Sequence, residues 1–315
     1  MALDGNLDGK LVTMLGGSGF FGTHLAQELL SRGARLRIAS RNPERAYKLK
    51  PLANLGQIQF ARCNIAKPET VAPVLAGSDA VVNLVGAFDG NLDAVQGKGI
   101  ARIAGLAKDA GAQQFVQISA IGADAGSEAD YARTKAQGEA ALKDAFPGAT
   151  IVRPSIIFGP DDEFVMMFAG LIATFPMLPV FGPDSKLQPL FVDDAAEGIG
   201  AILADPGASR GKTYEFAGPE VLTMMEINEE IARAQGRKRT FLPLPDPVAK
   251  GIAMLPMTPI SSDQYALLTA GNVASGEEPG LAELSVRARP LSLFLDKWML
   301  RFRKHGRFGR DTAAG

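Results

Sequence analysis

A chain of 315 residues is long enough for two domains, or for one large α/β domain with an appended lobe, and its 46% hydrophobic content is ordinary for a soluble protein with a sizeable core. The 33 Lys plus Arg balance 34 Asp plus Glu, so net charge argues neither for nor against nucleic acid. The single cysteine, Cys63, excludes an intrachain disulfide and a Cys-based metal centre, and His24 and His305 are too far apart in sequence to pair, so no bound metal is expected.

The first half alternates strand and helix patterns. Leu11–Leu15 is a short apolar strand, and Phe21, Leu25 and Leu29 then recur at helical spacing. A strand at Leu36–Ser40, a helix through Pro43–Lys50, and strands near Ile58–Arg62 and Ala80–Val85 follow. Leu92, Val95, Ile103 and Leu106 mark one long helix face, Phe115–Ser119 a strand, Tyr131–Phe146 a helix and Thr150–Arg153 a strand. Such alternation predicts right-handed crossovers and a doubly wound parallel sheet, the α/β architecture of the Rossmann type.

After Arg153 the pattern changes, with Pro and Gly frequent in FGPDDEF (158–164) and FGPDSK (181–186). The reading is a dinucleotide-binding domain over 1–160, with strands returning near 188–194 and 212–217. A smaller substrate or partner lobe is expected over 161–187 and 218–300, and a basic flexible tail over 301–315. The apolar run Phe164–Phe181 holds Gly170, Pro176 and Pro179, which favours a buried helix and a pocket loop over a membrane span. Asp4 and Asp8 stand where a secretory leader would carry its positive region, so none is expected.

The segment LVTMLGGSGFFGTHLAQELL sets Gly16, Gly19 and Gly22 between the first strand and an amphipathic helix. Outward-pointing N–H groups at a helix start favour a pyrophosphate, and glycines let the turn close and the phosphates approach. A site preferring NAD(H) carries an Asp or Glu at the end of the second strand for the ribose 2′-OH. Here the chain reads RIASRNPER, with Ser40 and Arg41 at that place and Arg45 one turn later. This suits a 2′-phosphate and favours NADP(H) over NAD(H), although Arg41 stacking on adenine or capping a solvated helix would account for the same residues.

Tyr131 and Lys135 stand four apart in YARTK, on one face of a helix that follows the fifth strand. An ammonium beside a phenol favours the phenolate, as a general acid or base for carbonyl and hydroxyl chemistry requires. The alternative is an ordinary exposed helix start.

The motifs GGSGFFG, NLVG (83–86), FVQIS, YARTK, RPSIIFGP (153–160), FVDD (191–194) and YEFAGPE (214–220) together resemble an atypical or extended short-chain dehydrogenase/reductase. KAQGEAALKDAFPGATIVRPSIIFGPDDEF and the stretch through LPLP (242–245) more narrowly resemble one branch, the NADPH-binding accessory subunit of respiratory complex I and its bacterial relatives. The resemblance runs from about Lys10 to about Arg303. It implies phosphate binding by Gly16, Ser18, Gly19, Phe20 and Phe21; Gly22, the third glycine of the cofactor-binding loop, allows tight helix-on-strand packing. It also implies adenine-ribose contact by Arg41, contact from Val85 and Gly86, and Lys135 on the nicotinamide ribose with Tyr131 nearby. Pro154 to Ile157 would flank the nicotinamide. Active members carry a Ser or Thr just beyond the fifth strand, where this chain has Ala120; Ser119 is a doubtful stand-in. In the complex I branch the nucleotide is regarded as structural.

From Lys297 to Arg310 the chain reads KWMLRFRKHGRFGR, six Lys or Arg with Trp298, Leu300, Phe302 and Phe308 interleaved. Such a segment suits a lipid headgroup surface or an acidic partner, or is a solvated last helix with a tail. The leading expectation is therefore an NADP(H)-binding associate of complex I subunits, cytoplasmic or peripheral on the inner face of the membrane. The alternative is an active NADPH-dependent reductase, dehydrogenase or epimerase on a small-molecule substrate.

Overall fold

The computed structural model describes residues 7–254 and 260–303; Asp4, His305 and the tail beyond Arg303 lie outside the described residues. In chain order the elements are β1 Leu11–Leu15, α1 Phe20–Ser31, β2 Arg35–Ser40, a 3₁₀ segment Pro43–Leu52, β3 Ile58–Arg62, α2 Pro68–Leu75, β4 Ala80–Asn83, α3 Leu92–Gln96, α4 Gly99–Asp109, β5 Gln114–Ile118, α5 Asp130–Ala145 and β6 Thr150–Pro154. Then come β7 Ile157–Phe158, α6 Phe164–Thr174, β8 Met177–Val180, β9 Lys186–Leu187, β10 Leu190–Phe191, α7 Val192–Ala204, α8 Pro206–Ser209, β11 Thr213–Phe216, β12 Leu222–Thr223, α9 Met224–Ala234, β13 Thr240–Pro243, α10 Asp246–Ala253, α11 Ser262–Ala270 and α12 Ser292–Trp298.

The chain divides into two compact units. The first runs to Ser155 and resumes at Val192–Ala217 and Ala274–Arg287. Its sheet has seven strands in the order β11-β6-β5-β4-β1-β2-β3, every neighbouring pair parallel. Fully buried strands such as AVVN at β4 fit a sheet covered on both faces. One face is packed by Val71, Val74 and Leu75 of α2, Ile100, Ile103 and Ala107 of α4, and Leu142 of α5. Leu25 and Leu29 of α1 and Ile199 and Ile202 of α7 are wholly buried, and α1 packs against α7. The strand order reverses between β1 and β4, the place where open α/β sheets bind ligands.

The second unit comprises Ile156–Phe191, Gly218–Val273 and the chain from Ala288 on. Its strands form two-residue to four-residue ribbons, β7 with β10, β9 with β12, and β8 with β13. Phe158, Phe191, Phe294 and Trp298 form one aromatic cluster, with Phe191 and Phe294 stacked at 4.1 Å between centroids. Among the described residues no helix is long and apolar enough to cross a membrane; the Phe164–Phe181 run is α6 followed by β8.

Several sequence expectations change. The strand expected near 188–194 is replaced by two short strands, Lys186–Leu187 and Leu190–Phe191, that join ribbons outside the seven-stranded sheet; Pro189, with no N–H to give, separates them, and Val192 opens α7. The helix face from Leu92 to Leu106 is broken into α3 and α4 at Gly97, where Asp93 Oδ1 accepts from the Lys98 N–H at 3.0 Å. Pro43–Lys50 winds as part of a 3₁₀ segment, Pro43–Leu52, and not as an α-helix. The start of the basic tail is ordered: Met299–Phe302 is a 3₁₀ turn, with Phe302 O accepting from Arg237 at 2.9 Å and Arg303 donating to Ala234 O at 3.0 Å.

Candidate functional site

The β1–α1 loop lies at the strand-order reversal. Gly16 closes it with φ +82°, a conformation that favours glycine, and its N–H donates to Ala39 O of β2 at 2.8 Å. A Cβ on Gly16 would stand 2.9 Å from Val85 Cγ2, so the loops after β1 and β4 meet there. Gly22 supplies the close approach: its Cβ would lie 2.6 Å from Gly17 Cα. Gly19 differs, because a Cβ there would meet only Gly16 O, at 3.6 Å. Gly19 is also the N-cap of α1 and no side chain caps the helix, which leaves the first-turn N–H groups of Phe20, Phe21 and Gly22 to an incoming acceptor. These residues fit a dinucleotide pyrophosphate.

Ser18 Oγ donates to Ser40 Oγ at 2.8 Å, tying the loop to the end of β2. Arg41 and Arg45 follow, both exposed, and Ser40 is in register with Arg62 at the end of β3. Arg41 and Arg45 thus follow, and Arg62 pairs in register with, the position where an NAD(H) site would carry its acid.

On α5, Lys135 is buried and its Nζ donates to Ile118 O at 3.1 Å, beneath Gly86. Burial pulls its pKa from 10.5 down to about 8, against the opposing pull of Glu139. Tyr131 lies near it, with Lys135 Nζ 5.5 Å from the ring centroid, and Phe88 stacks on the ring at 4.5 Å. Burial pushes the Tyr131 phenol up to about 12. Ser119 Oγ is buried and has no hydrogen-bond partner among the described residues. Pro154 ends β6 and accepts from the Ile121 N–H at 3.0 Å, whereas Ile157 belongs to the second unit, where it pairs with Leu190.

A buried polar network holds these loops. Asn83 Nδ2 donates to Gln117 Oε1 at 2.9 Å, and Gln117 Nε2 donates to the same Ile118 carbonyl that receives Lys135, at 2.8 Å. Gln96 Oε1 accepts from the Ala87 N–H at 3.0 Å while its Nε2 donates to Thr134 Oγ1 at 3.0 Å. Lys135 is the one cation in this network, and its lowered pKa has a consequence for stability. The unfolded chain keeps the Lys135 proton to about 10.5 and the folded chain only to about 8, so this group disfavours folding below pH 8 and the penalty fades as pH rises between those values. Lys135→Met should therefore be more stable than the parent at pH 7, by about 1–2 kcal/mol, with the gap closing toward pH 10 in urea denaturation.

A family described as NAD(P)H-binding matches residues 16–164, and one described as the RmlD substrate binding domain matches residues 124–270. Together the two matches span residues 16–270, and the chain is similar to members of the short-chain dehydrogenase/reductase superfamily. It is 35% identical over 228 residues to the mitochondrial NADH dehydrogenase (ubiquinone) 1 alpha subcomplex subunit 9 of Dictyostelium discoideum, covering 71% of this chain and 63% of the relative. The Arabidopsis thaliana subunit of the same name is 29% identical, covering 96% and 80%. A ceramide reductase of Caulobacter vibrioides is 28% identical, covering 75% and 74%. Among solved structures, an NADPH-dependent quinone oxidoreductase from Escherichia coli in complex with NADPH superposes with a TM-score of 0.74 at 17% identity, over 91% of this chain and 99% of that one, a likeness of fold. The NAD(P)H-binding match over residues 16–164 makes the first unit a nicotinamide-dinucleotide-binding domain.

Sequence reasoning overlooked Gly17, Arg62, Gln96 and Phe88. Gly17 was visible as the second glycine of the doublet: a Cβ on it would stand 2.9 Å from Met14 Cβ. Arg62 needs the β2–β3 register, and Gln96 and Phe88 need the loop after β4 to be placed against α5; no local pattern marks them.

Proposed function

We propose that the chain binds NADP(H) through the β1–α1 loop and serves as an accessory subunit of respiratory complex I, peripheral to the membrane, with the nucleotide kept as part of its own structure. The observation that carries this reading is the likeness to subunit 9 of complex I, 35% identical over 71% of this chain and 29% identical over 96% of it. Ala120 in place of a second hydroxyl supports it, as does the Tyr131 phenol, which carries Phe88 stacked on its ring and is pushed up by burial where proton transfer near neutrality asks for a lowered pKa. Co-purification with complex I from gently solubilised membranes, with slowly exchanging NADPH, is the expected result; recovery only as a free protein would overturn it.

The choice of nucleotide rests on Arg41, Arg45 and Arg62. Charge-assisted hydrogen bonds of this kind contribute roughly 1.5–3 kcal/mol, about tenfold or more in affinity. Arg41→Ala with Arg62→Ala should weaken NADPH at least about tenfold and leave NADH nearly unchanged, as read by titration calorimetry. Equal losses for both nucleotides would remove the case for the phosphorylated form.

A second reading, an NADPH-dependent reductase, dehydrogenase or epimerase, is favoured by Tyr131 and Lys135 sharing one face of α5 and by the ceramide reductase likeness. A bound nicotinamide would supply or take up a hydride. Under this reading Tyr131→Phe abolishes turnover while NADPH affinity is unchanged.

A further inference from the structure

The second unit carries an exposed apolar surface beside a concentration of cations. From Phe164 to Pro183 the chain has no charged residue. The buried half of this run is accounted for: Val165, Ala169 and Ile172 of α6 and Leu178 and Val180 of β8 face inward. The other half is not, since Phe175 is 49% and Met177 54% exposed, and Pro176 and Pro179 are exposed with them. Strand β13 lies parallel to β8 with Thr240 opposite Met177 and Leu242 opposite Pro179, which puts Leu242, 42% exposed, on the same outer face.

Cations concentrate along the segment that leads into β13, while Asp184 and Asp246 stand beyond the far ends of the two strands and Arg233 pairs with Glu230. Between Ile231 and Pro245 the chain holds Arg233, Arg237, Lys238 and Arg239 and no acid. Arg239 is fastened to the end of α6 immediately before Phe175, donating from Nε to Ile172 O at 2.7 Å and from Nη2 to Ala173 O at 3.4 Å. Arg237 and Arg303 bind the Met299–Phe302 turn to the end of α9, which brings the ordered start of the basic C-terminal segment into the same unit. Trp298, the residue best suited to a lipid interface by its sequence, is instead packed among Phe158, Phe191 and Phe294.

We propose that the outer face of the β8–β13 ribbon, with its flanking cations, is a docking surface for an anionic phospholipid bilayer. Three features favour a lipid surface over a protein. The ribbon has only two strands, and Pro179 and Pro243 within it cannot donate to an added strand, so edge pairing by a partner is obstructed. Aromatic and long apolar side chains beside Lys and Arg match the acyl boundary and the phosphate layer of a membrane. That boundary asks for no directional hydrogen bonds, which the proline-rich ribbon is poorly able to supply. The proposal does not depend on association with complex I, because the purified chain and vesicles suffice to test it.

The test is sedimentation of the full chain with phosphatidylcholine vesicles made with and without phosphatidylglycerol. The parent protein should bind only the anionic vesicles, and added salt should weaken binding. A Phe175→Ser, Met177→Ser, Leu242→Ser triple variant, with its basic C-terminal segment intact, should bind at least about tenfold more weakly, and Lys238→Glu severalfold more weakly. As a readout that leaves Phe175 and Leu242 in place, an environment-sensitive fluorophore on Met177→Cys should shift to the blue on anionic vesicles; Cys63 is buried and leaves the labelling selective. Parent-like binding by the folded triple variant would assign the interaction to the C-terminal segment and overturn the proposal. So would an unshifted fluorophore, or a parent protein that ignores anionic vesicles.

Discussion

Glu139→Leu is expected to destabilise the dinucleotide-binding unit by about 3–5 kcal/mol, the usual consequence of leaving one member of a buried ion pair without the other. Glu139 sits on α5 with its side chain 5% exposed and receives Arg153 of β6 in a two-pronged contact, Nε to Oε1 at 2.9 Å and Nη2 to Oε2 at 2.6 Å. Arg153 is itself only 23% exposed, and its other acid, Glu215 of β11, is at 4.0 Å. The pair joins the helix that carries Lys135 to β6, and the hydrogen bonds that Arg153 donates to Glu139 hold the guanidinium pKa above its ordinary value. Replacing both partners, Glu139→Leu with Arg153→Met, should recover most of the loss, because an apolar pair of similar volume leaves no stranded charge. Urea denaturation of the two single variants and the double variant measures this; a Glu139→Leu loss below about 1 kcal/mol would show that the pair is inert. The change also removes the group that raises the Lys135 pKa, so Lys135 should titrate lower still.

The second large effect separates two glycines three residues apart. Gly22→Ala should lower stability by about 1–3 kcal/mol, even though alanine is the better helix former by up to about 1 kcal/mol. The new methyl would stand 2.6–2.7 Å from Gly17 Cα, C and O, all backbone, and backbone cannot step aside as a side chain can. Displacing the start of α1 from β1 also misaims the first-turn N–H groups, so nucleotide affinity should fall with stability. Gly19→Ala should leave the melting temperature nearly unchanged, since its methyl meets nothing closer than 3.6 Å, yet weaken nucleotide binding by standing where the phosphates approach. Thermal melts paired with nucleotide titration distinguish the two. Equal behaviour of both variants would refute the division of labour within the loop.

Much of this was legible in the sequence because it is local. The β1–loop–α1 unit is contiguous, and the alternation that predicts a doubly wound sheet is written in strands whose both faces are buried, such as AVVN and TIVRP. Strand order was not legible, since nothing in β11 itself says that it lies beside β6. The Asn83–Gln117 and Gln96–Thr134 bonds join residues 34 and 38 positions apart, and each residue alone reads as an ordinary polar position. Pro189 was a visible signal that the strand expected at Gln188–Val192 would break. The fate of Trp298 was not, because a basic and aromatic segment looks the same whether its rings face outward or, as here, one of them completes an aromatic cluster.

The assembly of the first unit from three separated stretches of chain bears on how it is made. When residue 155 leaves the ribosome, six of the seven strands exist, but β6 is still a bare edge and Arg153 lacks Glu215. The outward face of α1 waits for α7, to which it will later be tied by His24 with Asp193 at 2.7 Å and by Arg32 with Glu197 O at 3.5 Å. β11 and α7 arrive only after 36 residues of the second unit, Ile156–Phe191, have been synthesised, and Ala274–Arg287 later again. The nascent chain thus holds an incomplete sheet with an unpaired edge through that interval, so during synthesis this unit passes through a window of exposure to chaperones and proteases that a contiguous domain would not have.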